Sequence, residues 1–369
     1  MPTFSDFDHR AMARAIELAW RGVNTTHPNP NVGCVIVKDG EVIAEGWHER
    51  AGGPHAEAMA LRTLESGAGG IAAADGATAY VNLEPCSHYG RTPPCADALV
   101  KARVARVVFS IPDPNPKVAG RGAALLSQAG IKVEMGLMEA EAEEVNLGFL
   151  KRMRKGTPYV RVKVGMSLDG RTALANGKSK WITSEAARED VQRWRARSSA
   201  VLSGIGTVLA DDPQLNVRLP DVSRQPMVVV LDASARLRPG AKVFTGGGSV
   251  VVFTKGGPLP GSAALRLRGA RVEVVGGGER LDLNAVLLKL GELQLNDVLV
   301  EAGPTLTGAL IRERIADELL LYMAPKLLGP QARPLFDLPQ LEDLQQATAF
   351  NIVETAQIGP DLRLRMRPI

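Results

Sequence analysis

The chain has 369 residues, 45% of them hydrophobic and 23% charged, a globular balance that excludes wholesale disorder and predicts about two domains. No run approaches the roughly 20 apolar residues of a bilayer span, and the opening MPTFSDFDHR lacks the features of a secretory leader, so a cytoplasmic, membrane-free protein is expected. Residues 1–150 hold 13 Lys+Arg against 18 Asp+Glu and residues 151–369 hold 31 against 22; with aromatics at only 4%, this dispersed basic charge argues against a nucleic-acid reader and suits small anionic ligands.

The predicted elements alternate along the first half. Phe7 to Arg21 carries Met12, Ile16 and Ala19 at helical spacing. Val32–Val37 and Val42–Trp47 read as strands joined by a turn at Lys38-Asp39-Gly40. His55–Leu64 is a predicted helix, Ala79–Leu83 a strand, Cys95–Ala102 a helix and Val104–Phe109 a strand; Gly122–Gln128 and Ile131–Glu134 follow as helix and strand. This order predicts a three-layer α/β/α domain over 1–148. Acidic residues (Glu139 to Glu144) followed by basic ones (Lys151 to Lys155) predict a solvated linker helix before a second domain over 149–369. There, Tyr159–Met166, Ala200–Ser203, Met227–Leu231, Val250–Phe253, Val272–Val275, Val298–Val300 and Glu318–Met323 read as strands, with helices over Ser184–Arg197 and Pro304–Arg312. The Gly-rich stretch from Phe244 to Glu279 is expected to be loop-laden.

All five His and all three Cys lie within the first 95 residues. His55-Ala56-Glu57, Pro85-Cys86 and Cys95 form the most specific pattern. One His and two thiolates give three zinc ligands and leave the fourth tetrahedral position open to water, the catalytic arrangement rather than the structural one. Two thiolates already cancel the charge of the dication, so a separate proton carrier is needed, and Glu57 lies beside the ligand to serve. A fourth ligand, for which His88 is the candidate, would make the site structural instead. Cys34, in an apolar strand, reads as a core thiol and His9 as a surface residue.

These motifs resemble the cytidine deaminase superfamily, with eight residues between Cys86 and Cys95 where the superfamily signature has two. That insert, Ser87 to Pro94, together with Thr26-His27-Pro28-Asn29-Pro30-Asn31-Val32-Gly33, is similar to the bifunctional pyrimidine deaminase/reductase family of riboflavin biosynthesis, and the similarity runs over nearly the whole chain. The resemblance implies hydrolytic deamination of 2,5-diamino-6-ribosylamino-4-pyrimidinone 5′-phosphate, with Asn29, His48, His88 and Arg91 lining the pocket.

In the second half, Val298 to Leu306 reads as a buried strand, a Gly turn and a helix start, a geometry that offers backbone N–H groups to a phosphate. With Lys163–Arg171, Ser179–Thr183 and Thr207–Pro213 it resembles the reductase half of the same family, whose fold is similar to dihydrofolate reductase and whose cofactor is NADPH. The resemblance assigns Gly165, Trp181, Thr207, Asp211, Gly303, Pro304, Thr305 and Leu306 to NADPH, and Ser179, Arg195, Leu215, Arg218 and Glu301 to substrate. Reduction of the ribosyl group to a ribityl chain needs a proton source, for which Lys163 and Asp211 are both candidates. Trp194 and Asp212 read as structural, Arg193 and Arg197 as a solvated helix face. The family resemblance favours a homo-oligomer. The alternatives are a nucleoside or tRNA deaminase with an unrelated C-terminal domain, and a nucleic-acid-binding zinc module with a closed, four-ligand metal.

Overall fold

The computed structural model describes residues 3–67, 69–87, 93–116, 118–256, 259–276 and 280–369. The chain divides into two compact units, 1–156 and 157–369.

The first unit begins with α1 (Asp6–Trp20), whose N-cap Ser5 and Asp8 form a reciprocal capping box. β1 (Gly33–Lys38) and β2 (Glu41–Trp47) form a hairpin, then come α2 (Ala56–Glu65), β3 (Thr78–Leu83), α3 (Cys95–Lys101), β4 (Arg106–Ile111), α4 (Arg121–Gln128), β5 (Lys132–Met135) and α5 (Glu139–Lys155). The sheet order is β2-β1-β3-β4-β5. β1 runs antiparallel to β2 and β3, while β3, β4 and β5 run parallel. One face packs against α2, α3 and α4 through Ala60, Leu64, Leu99 and Leu126. The other packs against α1 and α5 through Met12, Ile16, Val145 and Phe149. Each such leucine contributes about 2 kcal/mol by leaving water. Buried Asp8 ties α1 to the sheet, accepting from Tyr80 Oη and Arg106 Nη1, both at 2.6 Å.

The second unit contains β6 (Tyr159–Ser167), β7 (Arg171–Ala173), α6 (Glu185–Arg197), β8 (Ala200–Gly204), α7 (Ile205–Asp211), β9 (Met227–Leu231), β10 (Val250–Thr254), α8 (Pro260–Leu267), β11 (Arg271–Val274), α9 (Leu283–Glu292), β12 (Asp297–Val300), α10 (Pro304–Arg312), β13 (Glu318–Ala324), β14 (Arg333–Pro334), β15 (Phe350–Ile358) and β16 (Asp361–Pro368). Nine strands form one sheet in the order β11-β10-β9-β8-β12-β6-β13-β16-β15, and β7 pairs with β14. The run from β11 to β13 is parallel, and β16 and β15 add antiparallel at one edge. In a parallel sheet both faces are covered, which is why its strands are near-continuous Val and Leu. Ligands in such sheets gather at the carboxyl ends of the strands, where the crossovers leave a crevice.

Several expectations require correction. α5 is not a solvated linker: Ala142, Val145, Phe149 and Leu150 are buried against the first unit's core, on one stripe that its many charges disguise. The expected division at 148/149 falls inside this helix, and the two units separate after its C-cap Gly156. Arg197 is not on a solvated face; it is half-buried with its guanidinium 4.4 Å from the Trp194 ring centroid, and burial pushes its pKa down to about 10. Arg193 is exposed and pairs with Glu189. The Gly-rich stretch holds α8 between β10 and β11. β15 and β16 were not anticipated.

Candidate active sites

His55 is the N-cap of α2 and therefore stands at the helix mouth with extended backbone. Cys86 follows β3 by a short segment, and Cys95 is the first residue of α3. The His55 Nδ1 lies 3.4 Å from both Cys86 Sγ and Cys95 Sγ, and the three donor atoms all lie within 4.8 Å of one another. The Cys95 amide donates to Cys86 Sγ at 3.4 Å. The hydrogen bond from the Cys95 thiol is the main reason that the Cys86 pKa falls to about 4, and the same bond pushes Cys95 up. One imidazole and two sulfurs in reach of a common point fit a borderline-soft dication such as zinc. Among the described residues no fourth His, Cys, Asp or Glu joins this group. His88 and Arg91 lie outside the described residues.

Glu57 sits in the first turn of α2, 3% exposed. Burial, reinforced by Cys86, raises its pKa to about 6. His48 is buried beside the metal group, its ring edge-on to that of His55 with centroids 5.2 Å apart. Its Nδ1 is 2.9 Å from the Pro54 carbonyl and its Nε2 is 3.0 Å from Asn29 Nδ2. A carbonyl only accepts, so Nδ1 carries the proton and Nε2 accepts from the Asn29 amide. Burial lowers the His48 pKa, in keeping with this neutral ring. Asn29 and His48 thus form one hydrogen-bonded unit beside His55. Cys34 is fully buried and His9 is exposed on α1.

Sequence reasoning missed two carboxylates near the metal group. Glu84, two residues before Cys86, is buried and accepts from four backbone N–H groups. Asp113, just beyond β4, is raised to about 6, chiefly by burial. The available signal was position alone: both follow the carboxyl ends of adjacent parallel strands.

In the second unit every residue assigned to NADPH or substrate lines a single cleft of about 940 Å³. Two helix starts border it. Gly204 is the N-cap of α7 and Gly303 that of α10, and the Gly303 amide donates to Thr207 Oγ1 at 3.2 Å. Gly165 lies on β6 in the cleft wall, where an added Cβ would meet Thr183 at 3.3 Å. Trp181 is 63% exposed, with the Arg188 guanidinium 4.3 Å from its ring centroid. Leu215 is buried at positive φ. Asp211 faces Lys180 at 3.4 Å, and Asp212 accepts from the Lys242 amide. Arg218 Nη1 donates to Asn216 Oδ1. Glu301 accepts from Arg195 through both oxygens, at 2.5 and 3.0 Å, and from Lys163 at 2.9 Å. Burial alone would raise its pKa, but these two cations overcome it and hold the carboxyl well below the usual range. Trp194, on α6, is buried in a cluster with Leu299, Leu320 and Tyr322.

A deaminase-like zinc centre in one unit and a dihydrofolate-reductase-like cleft in the other define a two-activity enzyme. Residues 5–111 match the cytidine and deoxycytidylate deaminase zinc-binding region, and residues 158–364 match the RibD C-terminal domain. The chain is 52% identical to riboflavin biosynthesis protein RibD of Escherichia coli, covering 97% of this chain and 99% of that one. Among solved structures, Acinetobacter baumannii RibD superposes with a TM-score of 0.90 at 49% identity, covering 98% and 99% of the two chains. The Thermotoga maritima diaminohydroxyphosphoribosylaminopyrimidine deaminase/5-amino-6-(5-phosphoribosylamino)uracil reductase superposes at 0.87 with 34% identity and the same coverage. The chain belongs to the RibD family, the bifunctional deaminase and reductase of riboflavin biosynthesis. The C-terminal unit is therefore not an unrelated appendage, and the alternative of a nucleoside or tRNA deaminase carrying one is set aside. Among the described residues no helix is long and apolar enough to cross a membrane.

Proposed function

We propose that the first unit deaminates 2,5-diamino-6-ribosylamino-4-pyrimidinone 5′-phosphate and that the second reduces the ribosyl group of the product to a ribityl chain. One observation carries the reading: three soft donors converge within 4.8 Å at the mouth of the helix that bears a buried carboxylate, Glu57.

His55, Cys86 and Cys95 would hold the zinc. Bound there, zinc supplies a Lewis acid that readies water for attack on the ring carbon bearing the amine. Glu57 takes the two protons of that water in turn, passing the first to the ring nitrogen and, as the new hydroxyl becomes a carbonyl, delivering the second to the departing ammonia. Asn29, its amide nitrogen held by His48, has its carbonyl oxygen left to accept a hydrogen bond from the substrate. The family resemblance also assigns His88 and Arg91 to the substrate; both lie outside the described residues.

In the second unit Gly204, Thr207 and the start of α10 at Gly303 would hold the phosphate-bearing part of NADPH, which when bound supplies a hydride. Gly165 leaves room for close approach, and Trp181 covers the rim. Arg195, Arg218 and Ser179 hold the substrate, the arginines being suited to its phosphate. The ribosylamine opens to a protonated imine, its nitrogen keeping its proton, which leaves C1′ as the electrophilic carbon that a hydride would reduce. Opening needs a proton at the ring oxygen. Lys163 is better placed than Asp211 to give it, since its Nζ is fixed by Glu301 inside the cleft whereas Asp211 is exposed and pairs with Lys180. Glu301 acts by fixing Lys163 and Arg195 as well as by touching substrate.

A homo-oligomer is part of this reading, supported by β15 at the sheet edge, where Ile352 and Val353 are exposed. A reducing cytoplasm suits the three free thiols. The test supplies the diamino substrate to zinc-replete protein and follows ammonia release and NADPH oxidation together. Ammonia first, then NADPH consumption dependent on it, is the expected order; NADPH oxidation with no ammonia release contradicts it.

A further inference from the structure

Glu84 is a carboxylic side chain that neither proposed reaction uses, and it is 3% exposed. Its carboxylate is fully engaged by backbone. Oε2 accepts from the amides of Asp113 at 3.3 Å and Gly120 at 3.0 Å. Oε1 accepts from the amides of Gly122 at 3.1 Å and Ala123 at 3.2 Å. Its own amide donates to the Ile111 carbonyl at 2.9 Å, continuing the β3–β4 pairing. One side chain therefore joins three segments: the stretch leading to Cys86, the loop after β4 and the start of α4. The contact is close as well as polar. A Cβ on Gly122 would lie 1.9 Å from the Pro85 carbonyl oxygen, so the helix start rests directly on the residue between Glu84 and Cys86.

The geometry points to Glu84 as a positioning residue of the metal centre, clamping the Pro85–Cys86 segment between the loop after β4 and the start of α4. His55 and Cys95 each sit at a helix start and are placed by their own helices. Cys86 belongs to no helix or strand; the start of α3 holds it through the Ala96 amide on its carbonyl at 3.1 Å and the Cys95 amide on its sulfur, and a second element has to fix the backbone just before it. The first turn of α4 does this through Glu84, in the way that groups behind metal ligands set their orientation and hence affinity. The carboxylate also receives the Asp113 amide, so the loop after β4 is tied to the segment that carries Cys86. The inference rests on His55, Cys86 and Cys95 being the metal ligands.

Two full-length variants test it, with zinc affinity measured by competition against a chromogenic chelator and reductase turnover measured on the deaminated substrate in the same samples. Glu84→Gln keeps the shape but turns an NH2 group towards N–H donors. Gly122→Ala leaves Glu84 intact and pushes the helix start off Pro85. Both are expected to weaken zinc binding about tenfold or more, with reductase kcat and KM unchanged. Zinc affinity within twofold of the parent in Glu84→Gln overturns the proposal. Should Glu84→Gln lose the cooperative unfolding of the first unit, Gly122→Ala decides: unchanged zinc affinity overturns the proposal and weakened affinity in a folded unit supports it. Parent protein that binds no zinc removes the metal reading itself, a distinct failure that takes the proposal with it.

Discussion

Arg195 grips Glu301 through both carboxylate oxygens, and the pair lies in the cleft wall with Lys163 on the second oxygen. The carboxylate is thus the common anchor of two cations that face the ligand space. Removing one partner of such a pair leaves the other charges buried and uncompensated. Glu301→Gln is expected to destabilise the second unit by about 3 kcal/mol and to lower reductase kcat/KM by about 100-fold or more. Deamination in the same protein should not change. Thermal unfolding together with separate assays of the two reactions checks this, and a variant with unaltered NADPH oxidation would show that Glu301 anchors nothing of consequence.

Glu57→Ala separates proton transfer from metal binding. Glu57 is not among the three converging donors, so zinc should stay at one per chain. Ammonia release should fall by roughly 100- to 10,000-fold, the usual contribution of a positioned acid–base group. NADPH-dependent reduction of the deaminated intermediate should proceed at the parent rate. Loss of zinc in this variant would make Glu57 structural.

Asn29 and His48 act as one hydrogen-bonded unit, so their effects should not add. Asn29→Ala and His48→Phe are each expected to raise the deaminase KM about tenfold, the worth of one hydrogen bond. The double variant should be little worse than either single one. Additive losses, measured as a double-mutant cycle on KM, contradict the coupling.

Glu318 gives the second unit a dependence on acid. It is completely buried and accepts from Arg161 at 2.6 Å and Arg365 at 2.9 Å, with Arg367 at 3.2 Å. Burial pushes its pKa up, but Arg161 and Arg365 outweigh burial and hold it at about 2. A carboxylate depressed in the folded state contributes stability that is whole above the unfolded value of about 4.3 and disappears as pH falls through the folded value. Urea unfolding of the second unit should therefore weaken between about pH 4 and pH 2. Glu318→Gln should be less stable by about 3 kcal/mol at pH 7 and should lose most of that slope. A variant with the parent's slope in this window contradicts the assignment.

Much of the fold was legible because its strands are either apolar runs or alternations and several of its helices carry apolar residues at helical spacing. The metal group was legible because zinc favours imidazole and thiolate ligands, and all five His and all three Cys lie within the first 95 residues. What escaped did so for physical reasons. In β16 Leu362, Leu364 and Met366 alternate with Arg363, Arg365 and Arg367, a strand period in plain view, but one whose second face is charged gives no sequence reason to expect it paired into a sheet. They are accommodated because Glu318, Glu354 and Asp190 arrive from other elements. The stripe of α5 was outweighed by its charge count, although Ala142, Val145 and Phe149 sit at helical spacing. Glu84 could not be weighed from sequence, since its four donors lie 29 to 39 residues away.

The central claim is a metal held by one imidazole and two thiolates, with its remaining position left to solvent. X-ray absorption at the zinc edge of the full-length protein tests it most directly. Two sulfurs, one imidazole nitrogen and one solvent oxygen are predicted, at one zinc per chain, with the oxygen unchanged in Glu57→Ala. A second imidazole or a third sulfur in place of that oxygen, or no bound metal in freshly purified protein, contradicts the account.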